Sequence, residues 1–178
     1  MSYLGSFPVI VCLLGATLPL QGPLEAAIRP RRHRPLNQYD RLVVERVRGR
    51  AAALLEDPEC QRLLTDFRDP TGRTLDSNLQ PAGVTASRYL LHLTFLDGAA
   101  VPLCRKRAVT MVASPGMPRV FVCPAGAGRV NSRLAGMEFD SGSLAEALVI
   151  HEMLHTLGLG ENPPSTFQIT DRVRQRCR

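Results

Sequence analysis

The spacing of apolar residues predicts that the chain begins its folded part with helices. In segment 36–56 apolar residues recur every three or four positions, which is the period of a helix with one buried face. Segment 59–67 fits a second, shorter helix. Segment 86–96 is ambiguous, because its dense run of leucines and aromatic residues suits a helix or a strand.

The middle of the chain changes to a strand pattern. Segments 108–113 and 119–123 are short and rich in β-branched residues, and the Pro- and Gly-containing segment 114–118 between them predicts a hairpin. Segment 124–140 contains several glycines and is interpreted as a long connection without a helix.

The most apolar helix is predicted over 144–157. Ser143 and Glu146 have the spacing of a capping box at its start, and Gly158 can adopt the left-handed conformation that ends a helix. Since nearly every other side chain in it is apolar, the helix should be buried on several sides. After the helix-breaking pair Pro163–Pro164, a second capping box at Ser165 begins a last helix.

These elements predict an α+β domain in which several helices surround a small sheet. The 178 residues leave room for one domain and a leader. Residues 1–27 include an uncharged apolar run that is too short to span a bilayer and is typical of a secretory signal peptide. Residues 28–178 form the single predicted domain, with no membrane span, so a secreted or periplasmic location is expected.

The number and spacing of the cysteines also favour an exported protein. Loss of the leader removes Cys12 and leaves four, which lack the Cys-x-x-Cys spacing of metal or redox sites and therefore favour two disulfides. Cys123 ends a predicted strand, and Cys177 continues the apolar stripe of the last helix, so we predict the pair Cys123–Cys177. Cys60 with Cys104 follows by elimination.

The charge balance narrows the possible partners. The net charge is +6, and the basic residues are arginines except for Lys106. Such a chain can attract polyanions. However, no aromatic residues are interleaved with the arginines, so a nucleic-acid partner is not expected.

The chemistry is concentrated in His151-Glu152-x-x-His155. Residues four apart lie on one face of a helix, so the two imidazoles can bind one divalent ion, zinc above all. Glu152 is adjacent and can act as the general base that takes a proton from a metal-activated water.

This motif resembles that of the zincin superfamily of zinc metallopeptidases. The likeness covers residues 147–161 and includes Gly158 at the metzincin spacing, with Glu161 where that branch has His or Asp. No Met follows His155, so the Met-turn of metzincins is absent. The segment 155–165 is also similar to that of uncharacterised exported bacterial proteins. The resemblance implies a zincin-like fold, zinc bound by His151, His155 and Glu161, and a protein or peptide substrate.

Alternatives stay open at the level of sequence. His92 and Asp171 are other possible third ligands, and Tyr39, Tyr89, His92 or an arginine could stabilise a transition state. An exposed edge strand beside the cleft could hold an extended peptide by strand addition. The same site could also serve a non-catalytic exported zinc-binding or envelope protein.

Overall fold

Helices form most of the described chain. The computed structural model describes residues 34–105, 109–126, 132–140 and 142–178, so the predicted leader 1–27 lies outside the described residues. The helices are α1 (Gln38–Leu54), α2 (Pro58–Gln61), α3 (Leu63–Asp66), α4 (Leu75–Leu79), α5 (Ala86–His92), α6 (Arg133–Asp140), α7 (Gly142–Thr156) and α8 (Thr166–Arg176). Short 3-10 helices span Gln80–Ala82 and Pro102–Arg105.

The described strands form a small mixed sheet. They are β1 (Thr94–Asp97), β2 (Met111–Ala113) and β3 (Arg119–Val122), in the order β1-β3-β2. β1 is parallel to β3, with Phe95 opposite Val120, whereas β2 is antiparallel to β3, with Val112 opposite Phe121. The predicted hairpin and the predicted α+β class are both confirmed.

In two segments the observed secondary structure adds to or differs from the prediction. The ambiguous segment 86–96 contains both alternatives, because α5 ends at His92 and β1 begins at Thr94. The segment interpreted as a connection contains α6, so that interpretation was wrong. The Ser132 hydroxyl caps α6 by accepting the Ala135 N–H at 3.2 Å, and Leu134 is fully buried.

Helix α7 lies at the centre of the core. Its buried apolar residues point in several directions and include Ala145, Ala147, Val149, Ile150, Met153 and Leu154. It packs against α1, α6 and α8 as well as against β2 and β3, as its uniform apolar character predicts. It begins at Gly142, so Ser143 lies inside the first turn and does not cap the helix as predicted.

The disulfides join different partners from those predicted. Cys60 pairs with Cys177, and Cys104 pairs with Cys123. The predicted pairs Cys123–Cys177 and Cys60–Cys104 are therefore wrong. Helix α8 packs against α2 and α3, which places Cys177 next to Cys60. The 3-10 helix that contains Cys104 packs against β2, the strand paired with β3, and Cys123 directly follows β3.

The last helix begins at the predicted cap, and its apolar stripe packs on the core as predicted. Ser165 and Gln168 form the capping box of α8, and Ile169 and Val173 are fully buried. The described residues from 34 to 178 belong to one compact unit. No helix in the described ranges combines the length and the apolar character needed to cross a bilayer.

Candidate metal centre

A tight turn ends α7 directly after His155. The Gly158 N–H donates to the His155 carbonyl at 2.8 Å, and the Leu159 N–H donates to the Leu154 carbonyl at 3.1 Å. This is the Schellman pattern, and Gly158 has the positive φ of 106° that it requires. The turn reverses the chain, so that Glu161 returns to the face that carries the two histidines.

A side chain from α4 holds this turn in place. The Asn78 amide donates to the Leu157 carbonyl and to Asp69 Oδ2, each at 2.9 Å. Asp69 is itself fixed by hydrogen bonds from Thr71 and Arg73, and the Thr71 hydroxyl and the Asn78 amide lower the pKa of Asp69. The path of the chain from His155 to Glu161 is therefore set by a polar network as well as by Gly158.

Three potential ligand atoms converge beside the carboxyl-terminal half of α7. His151 Nε2 and His155 Nε2 are 3.0 Å apart, and Glu161 Oε1 lies 3.3 Å from His155 Nε2 and 3.7 Å from His151 Nε2. The histidines are buried, whereas 39% of the Glu161 side chain is exposed. His92 and Asp171 are exposed and do not belong to this group, which can hold a metal ion.

The separations match those of a tetrahedral metal site. Ligands bound to zinc at 2.0–2.1 Å in a tetrahedron lie about 3.3–3.4 Å from one another. The observed distances of 3.0, 3.3 and 3.7 Å bracket that value. Two imidazoles and one carboxylate also form a ligand set that favours a transition-type divalent ion over calcium or magnesium.

Each of the three residues is oriented by a further hydrogen bond. His155 Nδ1 lies 2.7 Å from the Leu159 carbonyl, which can only accept, so Nδ1 carries a proton and Nε2 is the nitrogen left to bind a metal ion. His151 Nδ1 lies 2.9 Å from Thr170 Oγ1, and the Thr166 hydroxyl donates to Glu161 Oε1 at 2.6 Å. Only their spacing of four at the start of α8 distinguishes Thr166 and Thr170 in the sequence, and they were not among the predicted site residues.

The protonation states suit metal binding. Burial and the neighbouring His155 lower the pKa of His151 to about 4, so its imidazole is neutral at physiological pH. Burial opposes ionisation of Glu161, but the Thr166 hydroxyl and the two histidines outweigh it and lower the pKa of Glu161. A neutral imidazole and an ionised carboxylate are the forms that bind metal ions.

Glu152 is buried beside this group. Only 8% of it is exposed, and its carboxyl group accepts a hydrogen bond from the backbone of Ala113 at the end of β2. Burial, together with the charge of Glu161, raises the pKa of Glu152 to about 8. A carboxyl group held in an apolar setting with a raised pKa is typical of a functional position.

A cleft of about 470 Å³ opens over these residues. One wall is α7 with the metal-ligand candidates and Glu152, and the other is β2 with the residues on either side of it. The remaining lining is mostly apolar: Leu103, Val109, Met111, Val112, Leu148 and Leu159. Tyr39, Tyr89 and His92 do not line the cleft, and neither does any arginine among the described residues.

The loop of the hairpin is attached to the end of α7. The Gly116 N–H donates to the His155 carbonyl at 3.3 Å, and the backbone of Ala113 is hydrogen-bonded to Glu152. β2 is at the edge of the described sheet, because its only strand partner there is β3. The free edge of β2 therefore runs beside the cleft.

We expect Glu152→Gln to stabilise the metal-free protein at alkaline pH. Wild-type Glu152 stays protonated in the folded chain up to about pH 8 but ionises from about pH 4.5 when unfolded. As pH rises through this window, the unfolded state loses its proton first, so wild-type stability falls; Gln avoids the loss. The gain at pH 9 should be a few kcal/mol, since one pKa unit corresponds to about 1.4 kcal/mol.

Urea unfolding in the presence of a chelator measures this difference. At pH 4 both states of the wild type are protonated, and the two proteins should differ little. A difference that is the same at pH 4 and pH 9 would contradict a raised pKa of Glu152.

Comparison with known proteins gives no assignment. No protein-family model, curated protein or solved structure matches the chain. Its function must therefore be inferred from its own residues.

Proposed function

We propose that this chain is a zinc-dependent metallopeptidase of the zincin type. The observation that supports the proposal is the convergence of His151 Nε2, His155 Nε2 and Glu161 Oε1 at separations of 3.0–3.7 Å. Three protein ligands beside an open cleft are the arrangement expected of a catalytic zinc site, which keeps one coordination position for water or substrate.

The ligand residues and the ion have separate roles. His151, His155 and Glu161 would hold the ion at the end of α7, which the core and the Gly158 turn keep rigid. When bound, the ion supplies a Lewis acid that polarises a peptide carbonyl and lowers the pKa of water. Zinc is the ion that this ligand set and these separations fit best.

Glu152 is the proposed general base. It lines the same cleft as the three ligands, and the backbone of Ala113 fixes its carboxyl group. A pKa of about 8 keeps it protonated at neutral pH in the metal-free chain, but a divalent cation bound beside it favours the ionised form. Ionised Glu152 takes a proton from the attacking water and passes it to the leaving amine.

The cleft suits an extended peptide. A substrate strand can pair with the free edge of β2, which places its backbone between β2 and the end of α7. The apolar lining favours uncharged, apolar side chains on either side of the bond that is cleaved. The disulfides Cys60–Cys177 and Cys104–Cys123 favour an oxidising, extracytoplasmic location for this activity.

A non-catalytic zinc-binding protein is the second candidate. It is favoured by the lining of the cleft, where the described residues include no tyrosine, arginine or further histidine to stabilise an oxyanion. In that case the ion would be retained without hydrolysis. A buried Glu152 beside the site favours the enzyme, because a purely structural ion does not need a base.

We expect the purified wild-type domain to contain about one zinc per chain and His155→Ala to contain almost none. Two protein ligands hold zinc far less tightly than three, and His155 is at the centre of the group. Inductively coupled plasma mass spectrometry measures the metal. Cleavage of a mixed peptide library, followed by mass spectrometry, measures hydrolysis with and without a chelator.

His92→Ala is the matched control, because His92 is exposed and lies outside the ligand group. It should keep both metal and hydrolysis. Wild type without stoichiometric metal would overturn the proposed site. Wild type with bound zinc that cleaves no peptide would favour the non-catalytic candidate.

A further inference from the structure

The first two turns of α8 face the candidate metal centre with two hydroxyl groups. Thr166 is the first residue of α8, and Thr170 lies one turn later on the same face. The Thr166 hydroxyl donates to Glu161 Oε1 at 2.6 Å, and Thr170 Oγ1 lies 2.9 Å from His151 Nδ1. Both threonines lie outside the segment that contains the three ligands.

These contacts divide the ligands into two kinds. His155 is oriented by a hydrogen bond to the Leu159 carbonyl. This carbonyl belongs to the turn that ends α7, so the bond forms whenever that turn forms. His151 and Glu161 are instead oriented by side chains of another helix. The positions of two of the three ligand atoms therefore depend on the position of α8.

Helix α8 is firmly attached to the rest of the fold. Ile169 and Val173 are fully buried, and the disulfide Cys60–Cys177 fixes its carboxyl end. Near that end, Arg176 donates to Asp66 at 3.0 Å and to Glu59 at 3.1 Å. The two hydroxyl groups are thus presented from a fixed support.

We propose that Thr166 and Thr170 are positioning residues of the metal centre. A hydroxyl that accepts from His151 Nδ1 favours the tautomer in which Nε2 can bind a metal ion, and it fixes the orientation of the imidazole ring. A hydroxyl that donates to Glu161 holds an otherwise exposed carboxylate at the ligand position. The inference rests on metal binding in the proposed function and does not depend on hydrolysis.

The test compares Thr170→Val and Thr166→Val with the serine replacements. Valine keeps the β-branched shape of threonine and replaces its hydroxyl group with a methyl group, so each Val variant should bind zinc about 10–100-fold more weakly. Serine keeps the hydroxyl group and should restore the affinity to within a few-fold of wild type. Competition with a chromophoric chelator measures the zinc Kd, and the visible absorption of the cobalt(II)-substituted protein reports distortion of the site.

Thr65→Val is the matched control, because the exposed Thr65 hydroxyl donates to the Arg62 carbonyl and Thr65 is not part of the cleft. It should leave both the zinc Kd and the cobalt spectrum unchanged. Urea unfolding of each metal-free variant separates loss of the site from loss of the fold.

The outcomes distinguish this inference from the proposed activity. A wild-type zinc Kd in both Val variants overturns it, and so do Ser variants that bind as weakly as the Val variants. Val variants with weakened binding uphold it, even if wild type with bound zinc cleaves no peptide, in which case only the proposed hydrolysis fails.

Discussion

Glu152→Gln should reduce peptide hydrolysis by about 10²–10⁴-fold while zinc remains bound, because general base catalysis contributes a factor of that size. Gln has nearly the same shape and keeps an oxygen that can accept the backbone hydrogen bond of Ala113. It cannot take up a proton from water. The three ligand atoms belong to other residues, so the metal content should be that of wild type.

Cleavage rates of a peptide library, divided by the amount of folded and metal-loaded protein, test this expectation. Glu146→Gln is the matched control on the same helix. Glu146 is also buried, but it accepts a hydrogen bond from Arg50 of α1 and does not line the cleft. Glu146→Gln should change the free energy of unfolding, but the cleavage rate per metal-loaded molecule should stay near that of wild type.

The two variants therefore separate catalysis from structure. Rates that fall equally in both would show that damage to α7 is the cause. A metal-loaded Glu152→Gln protein as active as wild type would remove Glu152 from the mechanism, although the metal site itself would be unaffected.

The parts of the fold that were predictable from sequence depend on residues close together in the chain. The apolar character of α7, the Gly158 turn and the capping box at Ser165 are local properties. Because the turn also determines the direction of the following residues, it brings Glu161 back to the histidines. The cap at Ser132 was an equally local signal, but the glycines around it favoured an interpretation as a loop.

The parts that were not predictable depend on how distant elements pack. The partner of Cys177 is decided by the packing of α8 against α2 and α3, and no spacing in the sequence encodes that contact. The same holds for Thr166 and Thr170, whose hydroxyl groups reach the site only because α8 folds back over the end of α7. The position of Tyr89, a candidate transition-state residue, also depends on distant packing: its hydroxyl donates to Thr156, and neither residue lines the cleft.

Removing the Cys60–Cys177 disulfide should destabilise the protein more than removing Cys104–Cys123. The first closes a loop with a sequence separation of 117 residues, and the second closes one of 19. Since a cross-link stabilises mainly by restricting the unfolded chain, the chain-entropy relation gives losses of about 5 and about 3 kcal/mol. Paired alanine replacements, Cys60→Ala with Cys177→Ala and Cys104→Ala with Cys123→Ala, should show this order.

Urea unfolding with a chelator present measures the two losses without a contribution from bound metal. Cys60, Cys104 and Cys123 are buried and Cys177 is partly buried at the end of α8, so each alanine pair removes at least one buried half-cystine and the main difference between the pairs is the length of the loop. Equal losses of unfolding free energy, or a larger loss for the disulfide that closes the short loop, would contradict the predicted order. Because Cys177 anchors the helix that presents Thr166 and Thr170, the long-loop variant should also bind zinc more weakly than wild type, even under conditions in which it remains folded.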